Sequence, residues 1–443
     1  MKSFFGDEVL LNTEEAVKVY KHIKDLPIID YHCHLSQKAI SDNPLLDDLA
    51  TLWLGADHYK WRVMRLCGVD EYYITGDAPI YDKFVKFCEI MPKLVGGPVY
   101  YWAHFELKQI FGINLEINKV NAKEIYDLAN SKLKDMHVRD LLKHFGVKYI
   151  ATTDDPVDTL EYNGLYDGIT VSPTFRGDKL LTLDSDYLDI LANVTGISTK
   201  TLDGFKEAVI SRLDYFVNKN CRIVDLGFEN FPSEIFTLDK ANIAYSNLSS
   251  IDSDTKDGLV GHIFNFLLRE FKKRDMLVQL HFAVKRNINT PMFNKVGRDA
   301  GFDVMSKEIN LDNLILLLDS LSDEERPRIV LYTLNPNTIC PLSCISGAYR
   351  NVLIGAAWWF NDTVLGIKNN LELISEYAVL GTNLGMLTDS RSFSSYSRFD
   401  FFRRILADFI GNKVNKGEYS LESAYKLAED ICYNNISNIL GVN

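Results

Sequence analysis

Two histidines separated by a single residue, His32 and His34, are the side chains in this sequence with the clearest chemistry. They follow a short apolar run at residues 27–30, which we expect to be a β-strand. Residues i and i+2 of a strand point to the same side, so both imidazoles would face one point at a spacing of about 6–7 Å. That arrangement suits a single divalent metal ion. The pair alone does not separate a metal site from two partly exposed histidines at a strand end.

A carboxylate near the other end of the chain, Asp389, could complete such a site. It follows an apolar run at residues 384–387 that would be the eighth strand of a barrel and would close against the first. His32, His34 and Asp389 could then share one divalent metal ion, for which Zn²⁺ is the expected choice and Mn²⁺ the alternative. Arg391, two residues further on, could bind a substrate carboxylate or form a structural ion pair.

Further candidates are a His-Tyr pair and the residues at the ends of other apolar runs. His58 could act as a general acid or base near neutral pH, and Tyr59 could exchange a proton if a cation lowered its pKa. Such a pair is also common on helix surfaces and in cores, so it decides nothing alone. The remaining candidates at the ends of other apolar runs are Arg176, Asp225 and His281. Trp358 and Trp359 could form an apolar wall or simply pack beneath an inserted segment.

Eight apolar runs rich in Val, Ile and Leu must position these side chains. They are residues 27–30, 147–151, 168–171, 221–224, 276–280, 328–332, 351–355 and 384–387. Buried strands alternating with helices predict an α/β fold, a (β/α)₈ TIM-like barrel with function at the C-terminal strand ends. Residues 1–35 and 145–443 would form the barrel and its C-terminal helices. Residues 36–144 would be a helical insertion between strands 1 and 2 that covers the barrel mouth, and residues 228–275 a second insertion.

Composition and charge restrict the function classes. The 443 residues are 47% hydrophobic and carry a net charge of −12, so a globular protein that binds neither nucleic acid nor an anionic membrane surface is expected. Seven cysteines without a CxxC pattern, and a polar N-terminus unlike a signal peptide, favour the cytoplasm. No apolar stretch predicts a membrane helix. No GxGxxG follows a strand, so we expect no nicotinamide or flavin cofactor.

Several longer segments together resemble the uronate isomerases, the glucuronate isomerase branch of the amidohydrolase superfamily. They are PIIDYHCHL, LWLGADHYKWRVMRLCGV, TTDDP, PTFRGD, LHFAVKRN, NTPMFNKVGRDAGFD, GAAWWFND and GMLTDSRSFSSYSRFDFFRRIL. The resemblance runs nearly end to end and implies a barrel fold. It also implies interconversion of D-glucuronate with D-fructuronate and of D-galacturonate with D-tagaturonate.

The resemblance carries roles onto the residues already singled out. It implies His32, His34 and Asp389 as metal ligands, and the other active-site residues would be His58, Tyr59, Arg176, Asp225, His281, Trp358 or Trp359, and Arg391. Leu226 stands where a histidine is expected after Asp225, and Phe399 stands where many members carry a histidine after Arg398. Both departures bear on substrate preference more than on the reaction. We expect a small uronate as binding partner and a homo-oligomer.

The chemistry fits these residues independently. Aldose–ketose isomerisation through a cis-enediol needs a proton carrier near C2, a group that polarises the carbonyl, and cations for the carboxylate. Asp389, Tyr59 and His58 are the candidate proton carriers. The alternative is a mononuclear metal-dependent hydrolase or deaminase of the same superfamily, which His281 keeps open. A sugar-acid-binding barrel without activity is the third reading, although no expected ligand is missing from the sequence.

Overall fold

The computed structural model describes residues 3–442, and seven of the eight apolar runs form strands in it. The strands are β1 (Ile28–Asp30), β2 (Val147–Ala151), β3 (Gly164–Tyr166), β4 (Ile169–Ser172), β5 (Thr174–Arg176), β6 (Ile223–Gly227), β7 (Leu277–Phe282), β8 (Val284–Lys285), β9 (Val304–Met305), β10 (Arg328–Thr333) and β11 (Val352–Ile354). Most Val, Ile and Leu side chains of the parallel strands are buried, and all six residues of β7 are buried. Strands of this kind are typical of a parallel sheet covered by helices.

Two parallel sheets contain most of these strands. One has the order β1-β2-β4 with β3 antiparallel at its edge, and the other has the order β11-β10-β7-β6-β5. The third apolar run forms β4, and the chain continues through Pro173 into β5 of the other sheet. The backbone of Asp154 bonds to both sides of Phe175, because its N–H donates to Thr174 and its carbonyl accepts from Arg176. The fold is therefore α/β with parallel sheets.

The eighth apolar run, residues 384–387, is not a strand, and this corrects the prediction. Gly385 has a φ of +70°, which an extended strand does not tolerate, and a Cβ there would lie 2.3 Å from the carbonyl oxygen of Ile431. The side chain of Asn383 accepts a hydrogen bond from the Gly385 N–H. None of the described strands joins β11 to β1, so the hydrogen-bonded ladder stays open at this point.

Helices cover the strands and occupy the long connections. They are α1 (Glu14–Ile23), α2 (Gln37–Asp42), α3 (Leu49–Leu54), α4 (His58–Leu66), α5 (Ile80–Ile90), α6 (Pro98–Phe111), α7 (Ala122–Leu133), α8 (Val138–His144), α9 (Asp178–Thr182), α10 (Ser185–Thr195), α11 (Leu202–Asn218), α12 (Leu238–Ser246), α13 (Ser253–Lys273), α14 (Thr290–Val296), α15 (Leu311–Asp319), α16 (Ile339–Ala348), α17 (Val364–Tyr377), α18 (Ser397–Asn415), α19 (Leu421–Glu429) and α20 (Asn435–Leu440). Helices α2–α8 lie between β1 and β2, where the sequence predicts a helical insertion, and its separate-domain status stays a prediction.

The helix that matters most for the site, α4, begins at His58 because Asp57 caps it. The Asp57 carboxylate accepts hydrogen bonds from the N–H groups of Tyr59 and Lys60, and its second oxygen lies 2.9 Å from the Lys60 ammonium. Caps of this kind stabilise a helix start by about 1 kcal/mol. Among residues 3–442, every helix is too short or too polar to cross a membrane.

Helices α1 and α18 pack together so closely that only glycine fits at one contact. A Cβ at Gly411 would lie 2.4 Å from the Cα of Ala16. We expect Gly411→Ala to lower the free energy of unfolding by about 1–3 kcal/mol, since overpacking outweighs the better helix propensity of alanine. Urea-induced unfolding measures this change.

The matched control is Gly347→Ala in α16, where nothing lies within 4 Å of the added Cβ. There the same substitution should leave stability unchanged or raise it by up to about 1 kcal/mol. Equal effects at the two positions would contradict the close contact between α1 and α18.

Candidate active site

Ten of the eleven residues singled out from the sequence line one cavity of about 650 Å³. They are His32, His34, His58, Arg176, Asp225, His281, Trp358, Trp359, Asp389 and Arg391. The cavity lies at the C-terminal ends of the strands, because these residues sit at or just after the ends of β1, β5, β6, β7 and β11 and of the eighth apolar run, or at the start of α4. Their chemical roles stay predictions, but the structure brings the side chains together.

Three of these residues form a group that fits a metal ion. The Nε2 atoms of His32 and His34 lie 3.3 Å and 3.1 Å from Oδ1 of Asp389. Ligands on a tetrahedral metal with bonds of about 2.1 Å are about 3.4 Å apart, so these spacings match a shared ion. The ligand atoms of His32, Asp225 and His281 also lie within 4.8 Å of one another, which places His281 beside the same point. The donor set, imidazole nitrogen and carboxylate oxygen, suits Zn²⁺ and other divalent transition metals.

Backbone hydrogen bonds fix Asp389 opposite the two histidines. The Asp389 N–H donates to the carbonyl of His32 at 3.1 Å, and the His34 N–H donates to the carbonyl of Ser390 at 2.9 Å. Asp389 itself has a φ of +45°, an uncommon conformation for a residue with a Cβ. Its Oδ2 accepts a hydrogen bond of 2.8 Å from the Trp358 indole, which leaves Oδ1 directed at the imidazoles.

The electrostatics of this group favour a neutral imidazole beside an ionised carboxylate. Burial lowers the pKa of His34 below its ordinary value. Burial opposes ionisation of Asp389 as well, but hydrogen bonds from His32 and His34 hold its pKa well below the usual range. For His32, the carboxylates of Asp225 and Asp389 outweigh burial and raise the pKa. A metal ion would compete with that proton, since it binds the neutral form of the ring.

A second chain of polar groups extends from the metal group along β5, β6 and β7. Asp225 lies between a histidine and an arginine. Its Oδ1 is 2.8 Å from Nδ1 of His281, and its Oδ2 is 3.4 Å from Nη1 of Arg176. Arg176 also pairs with Asp178 at 2.9 Å. Burial opposes the charge on Asp225, but Arg176, His32 and His281 together lower its pKa. Asp225 is therefore an anion that orients both a histidine and an arginine, as the predicted site requires.

The structure places His58 and Tyr59 differently from each other. His58 lines the cavity, and burial lowers its pKa, so its ring is neutral near pH 7. Tyr59 is buried against Trp102 and is absent from the described cavity lining. Burial raises the pKa of Tyr59 well above its ordinary value. This direction is opposite to the one that a proton carrier needs, and the role of Tyr59 stays a prediction.

Residues 284–306, in which β8 and β9 pair, contribute several cavity residues that the sequence reasoning missed. We call this stretch the hairpin segment. Its charged residues that line the cavity are Lys285, Arg286, Arg298, Asp299 and Asp303. The available signal was a cluster of charges and glycines after the fifth apolar run, but such a cluster is equally typical of an exposed loop.

Comparison with known proteins bears on the family. The profile of glucuronate isomerases matches residues 1–440. The uronate isomerase of Oceanobacillus iheyensis is 38% identical, over 98% of this chain and 97% of its own length. The uronate isomerase of Staphylococcus haemolyticus is 40% identical, over 98% of this chain and 99% of its own. The chain belongs to the glucuronate isomerase family.

Solved structures agree with this assignment. The crystal structure of a uronate isomerase from Thermotoga maritima superposes with a TM-score of 0.95 at 31% identity, covering 99% of this chain and 100% of that one. A structure of a metal-dependent hydrolase from Lactobacillus casei, at 13% identity and a TM-score of 0.56, shares the fold alone. The hydrolase alternative is therefore not favoured for this member of the glucuronate isomerase family.

Trp358 should control the affinity of this protein for a divalent metal ion. Its indole donates to Asp389, whereas the indole nitrogen of Trp359 is buried without a partner among the described residues. We expect Trp358→Phe to weaken divalent metal binding by about 10- to 100-fold, because the carboxylate loses a hydrogen bond that orients it. Competition with a chromophoric chelator measures the affinity.

Trp359→Phe is the matched control and should change metal affinity by less than about 3-fold, since no hydrogen bond is lost there. Equal affinities in the two variants would show that the Trp358 hydrogen bond does not support the metal group.

Proposed function

We propose that this chain interconverts D-glucuronate with D-fructuronate, and D-galacturonate with D-tagaturonate, by proton transfer between C2 and C1 through a cis-enediol. The observation that carries the proposal is one cavity that combines a metal-binding group, a neutral histidine and several arginines in a chain of this family. The reaction needs a carbonyl-polarising group, a proton carrier and cations for a carboxylate.

The anionic groups of the substrate would bind arginines that already have a carboxylate partner. Arg176 pairs with Asp178, Arg286 with Asp303, and Arg391 with Asp299. A guanidinium has five N–H donors, and each of these pairs uses only some of them. Donors remain for a ligand, and the anionic partners hold the side chains in place.

The charge balance of the cavity supports a bound divalent cation. Six carboxylates line the cavity against five lysine and arginine side chains, so the protein groups alone are slightly anionic. His32, His34 and Asp389 would hold the ion, for which we infer Zn²⁺, with Mn²⁺ as the alternative. When bound, the ion would supply Lewis-acid polarisation of the carbonyl oxygen and reverse the sign of the local charge.

His58 is the proton carrier that the site favours. Its ring is neutral near pH 7 and lines the cavity, so it can accept a proton from C2 and return one to C1, while a second proton passes from O2 to O1. Both oxygens of Asp389 are engaged, one with the imidazoles and one with Trp358, which leaves it less free to accept a proton. Arg391 and Arg286 would stabilise the negative oxygen of the enediolate.

The remaining proposals concern the setting of the site. We infer that the eighth apolar run closes a (β/α)₈ barrel, although its backbone is not a strand, because its end bonds to the end of β1. Helices α2–α8 would form the insertion over the barrel mouth. We also infer a homo-oligomer in the cytoplasm that acts in uronate catabolism.

Substrate charge should decide turnover. The wild type is expected to isomerise D-glucuronate and to be nearly inactive on D-glucose, which leaves the arginines without a carboxylate. Arg176→Met and Arg391→Met should each lower kcat/KM for D-glucuronate by roughly 10- to 150-fold, as loss of a charge-assisted contact predicts. If Arg176 binds the substrate carboxylate equally in the ground and transition states, its loss should mainly raise KM. If Arg391 contacts the enediolate, its loss should mainly lower kcat.

Steady-state kinetics on both sugars give these values, and the ketose product is detected directly. Equal turnover of the two sugars by the wild type would refute the proposal that arginines bind the substrate carboxylate. Wild-type kinetics in both arginine variants would do the same.

A solvent-isotope experiment tests the proton-transfer route. Isomerisation of D-glucuronate in D₂O should place some deuterium at C1 of the ketose, because a proton held on an imidazole exchanges with solvent. His58 and several carboxylates line the cavity, and these groups can carry a proton between C2 and C1. NMR of the product measures the incorporation. Complete retention of protium at C1, at every enzyme concentration and time, would favour a hydride shift instead.

A further inference from the structure

One five-residue turn of the hairpin segment, residues 299–303, contacts three groups of the proposed site that come from different parts of the chain. Asp299 contacts Arg391, which follows the eighth apolar run. Gly301 contacts the backbone of His58, at the start of α4. Asp303 contacts Arg286, at the opposite end of the hairpin segment.

Asp303 is the more buried of the two carboxylates. It is 5% exposed, and its Oδ2 lies 2.9 Å from Nη1 of Arg286. Its Oδ1 accepts a hydrogen bond of 2.7 Å from the N–H of Asn287, which has a φ of +52°. One carboxylate thus holds both the guanidinium and the backbone turn that follows it. Arg286 lines the cavity, and its guanidinium has further N–H donors that a ligand there can use.

Asp299 acts on the second arginine at a more open position. Its Oδ2 lies 3.1 Å from Nη2 of Arg391, and both side chains are partly exposed. Burial of Asp299 is outweighed by the nearby cations Arg391 and Arg286, which lower its pKa, so it is an anion at neutral pH. An exposed ion pair is weaker than a buried one, so Asp299 should contribute less than Asp303.

Helix α4 fixes the position of the turn. Nη1 of Arg62 donates to the carbonyl of Gly301 at 3.3 Å, and Nη1 of Arg65 donates to the carbonyl of Ala300. Gly301 has a φ of +92°, and a Cβ there would lie 3.0 Å from the carbonyl oxygen of His58. Arg65 is itself held by Glu71 through two hydrogen bonds of 2.8 Å and 2.6 Å. The turn therefore has a fixed place relative to the helix that carries His58.

We propose that Asp303 and Asp299 are positioning residues, which orient Arg286 and Arg391 toward the substrate and tie both arginines to the helix of His58. A free arginine side chain loses about 2 kcal/mol of rotamer entropy when it is fixed. Carboxylates that fix it before the substrate arrives remove that cost from binding. The inference rests on the proposed function, because it takes both arginines as substrate-binding groups.

Two double-mutant cycles test the proposal. Asp303→Asn should lower kcat/KM for D-glucuronate by about 10- to 100-fold, and Asp299→Asn by about 3- to 10-fold, since a charge-assisted pair is weakened in each. In the Arg286→Met background, Asp303→Asn should cause less than about a 3-fold further loss, because the group it orients is gone. Asp299→Asn should likewise add little to Arg391→Met. A purely structural role would give losses that multiply.

Controls separate positioning from folding. Glu308→Gln replaces an exposed carboxylate just beyond the hairpin segment and should keep wild-type kinetics. Thermal unfolding of each variant reports whether it is folded. Should Asp303→Asn fail to fold, the Asp299 cycle still decides, because Asp299 is partly exposed.

Calorimetric binding of D-gluconate, a sugar acid that cannot isomerise, gives a readout apart from turnover. The same coupling between each aspartate and its arginine should appear in the dissociation constant. If the wild type binds D-gluconate with this coupling but turns over no uronate, the proposed function fails and the positioning roles stand. The positioning roles would be overturned if, in both cycles, the loss in the double variant equalled the product of the two single losses. Wild-type affinity and kinetics in both aspartate variants would overturn them as well.

Discussion

The cavity depends on one carboxylate, Asp389, being held against two imidazoles at the other end of the chain. The segments that meet here are far apart in sequence, because Thr388 bonds to the side chain of Asp30, 358 positions away. Two backbone hydrogen bonds then join Asp389 to His32, and Ser390 to His34. The left-handed backbone of Asp389 costs of order 1 kcal/mol and persists because these contacts determine it. Every other polar group of the site is arranged around this junction.

An acidic chain can host an anion-binding cavity because its charges are arranged in pairs. Burying an unpaired charge is expensive, so each cavity arginine with a carboxylate partner is stable before any ligand binds. The carboxylates also leave the cavity short of positive charge, which a divalent cation at His32, His34 and Asp389 would supply. The cation and the paired arginines are thus complementary. In the proposed function the arginines would orient the uronate, and the cation would supply the net positive charge that attracts it.

Sequence reasoning predicted the parts of the site that depend on local rules. The i, i+2 spacing brought His32 and His34 to one side, and the apolar runs marked seven strands whose ends carry the cavity residues. The eighth run fails as a strand because Gly385 must turn under Ile431, a contact that no local pattern reveals. The sequence does not show that Tyr59 is buried against Trp102 and outside the cavity lining, because such burial is a tertiary property. The hairpin segment was missed because charged, glycine-containing loops have no periodicity that indicates where they fold.

Because the eighth run is not a strand, two backbone hydrogen bonds rather than a sheet ladder join Asp389 and Ser390 to the segment after β1, and helix α18 supports this junction from both sides. Near its start, Arg398 donates to the carbonyl of Thr388 at 3.1 Å. Further along, Arg403 donates to the carbonyls of residues 24, 26 and 27, just before β1 begins.

One rigid helix therefore binds both segments that carry metal-ligand candidates, and it fixes their separation. Arginine suits this role because its fork of donors can hold several carbonyls at once, which a lysine ammonium does less directionally. The Arg398 guanidinium also stacks on Trp102 of α6 at 3.9 Å and lies over the Tyr59 ring of α4 at 5.1 Å. The helix that aligns the metal group is thereby packed against the helices of the inserted region, so the position of His58 and the position of Asp389 are set by the same buried contacts.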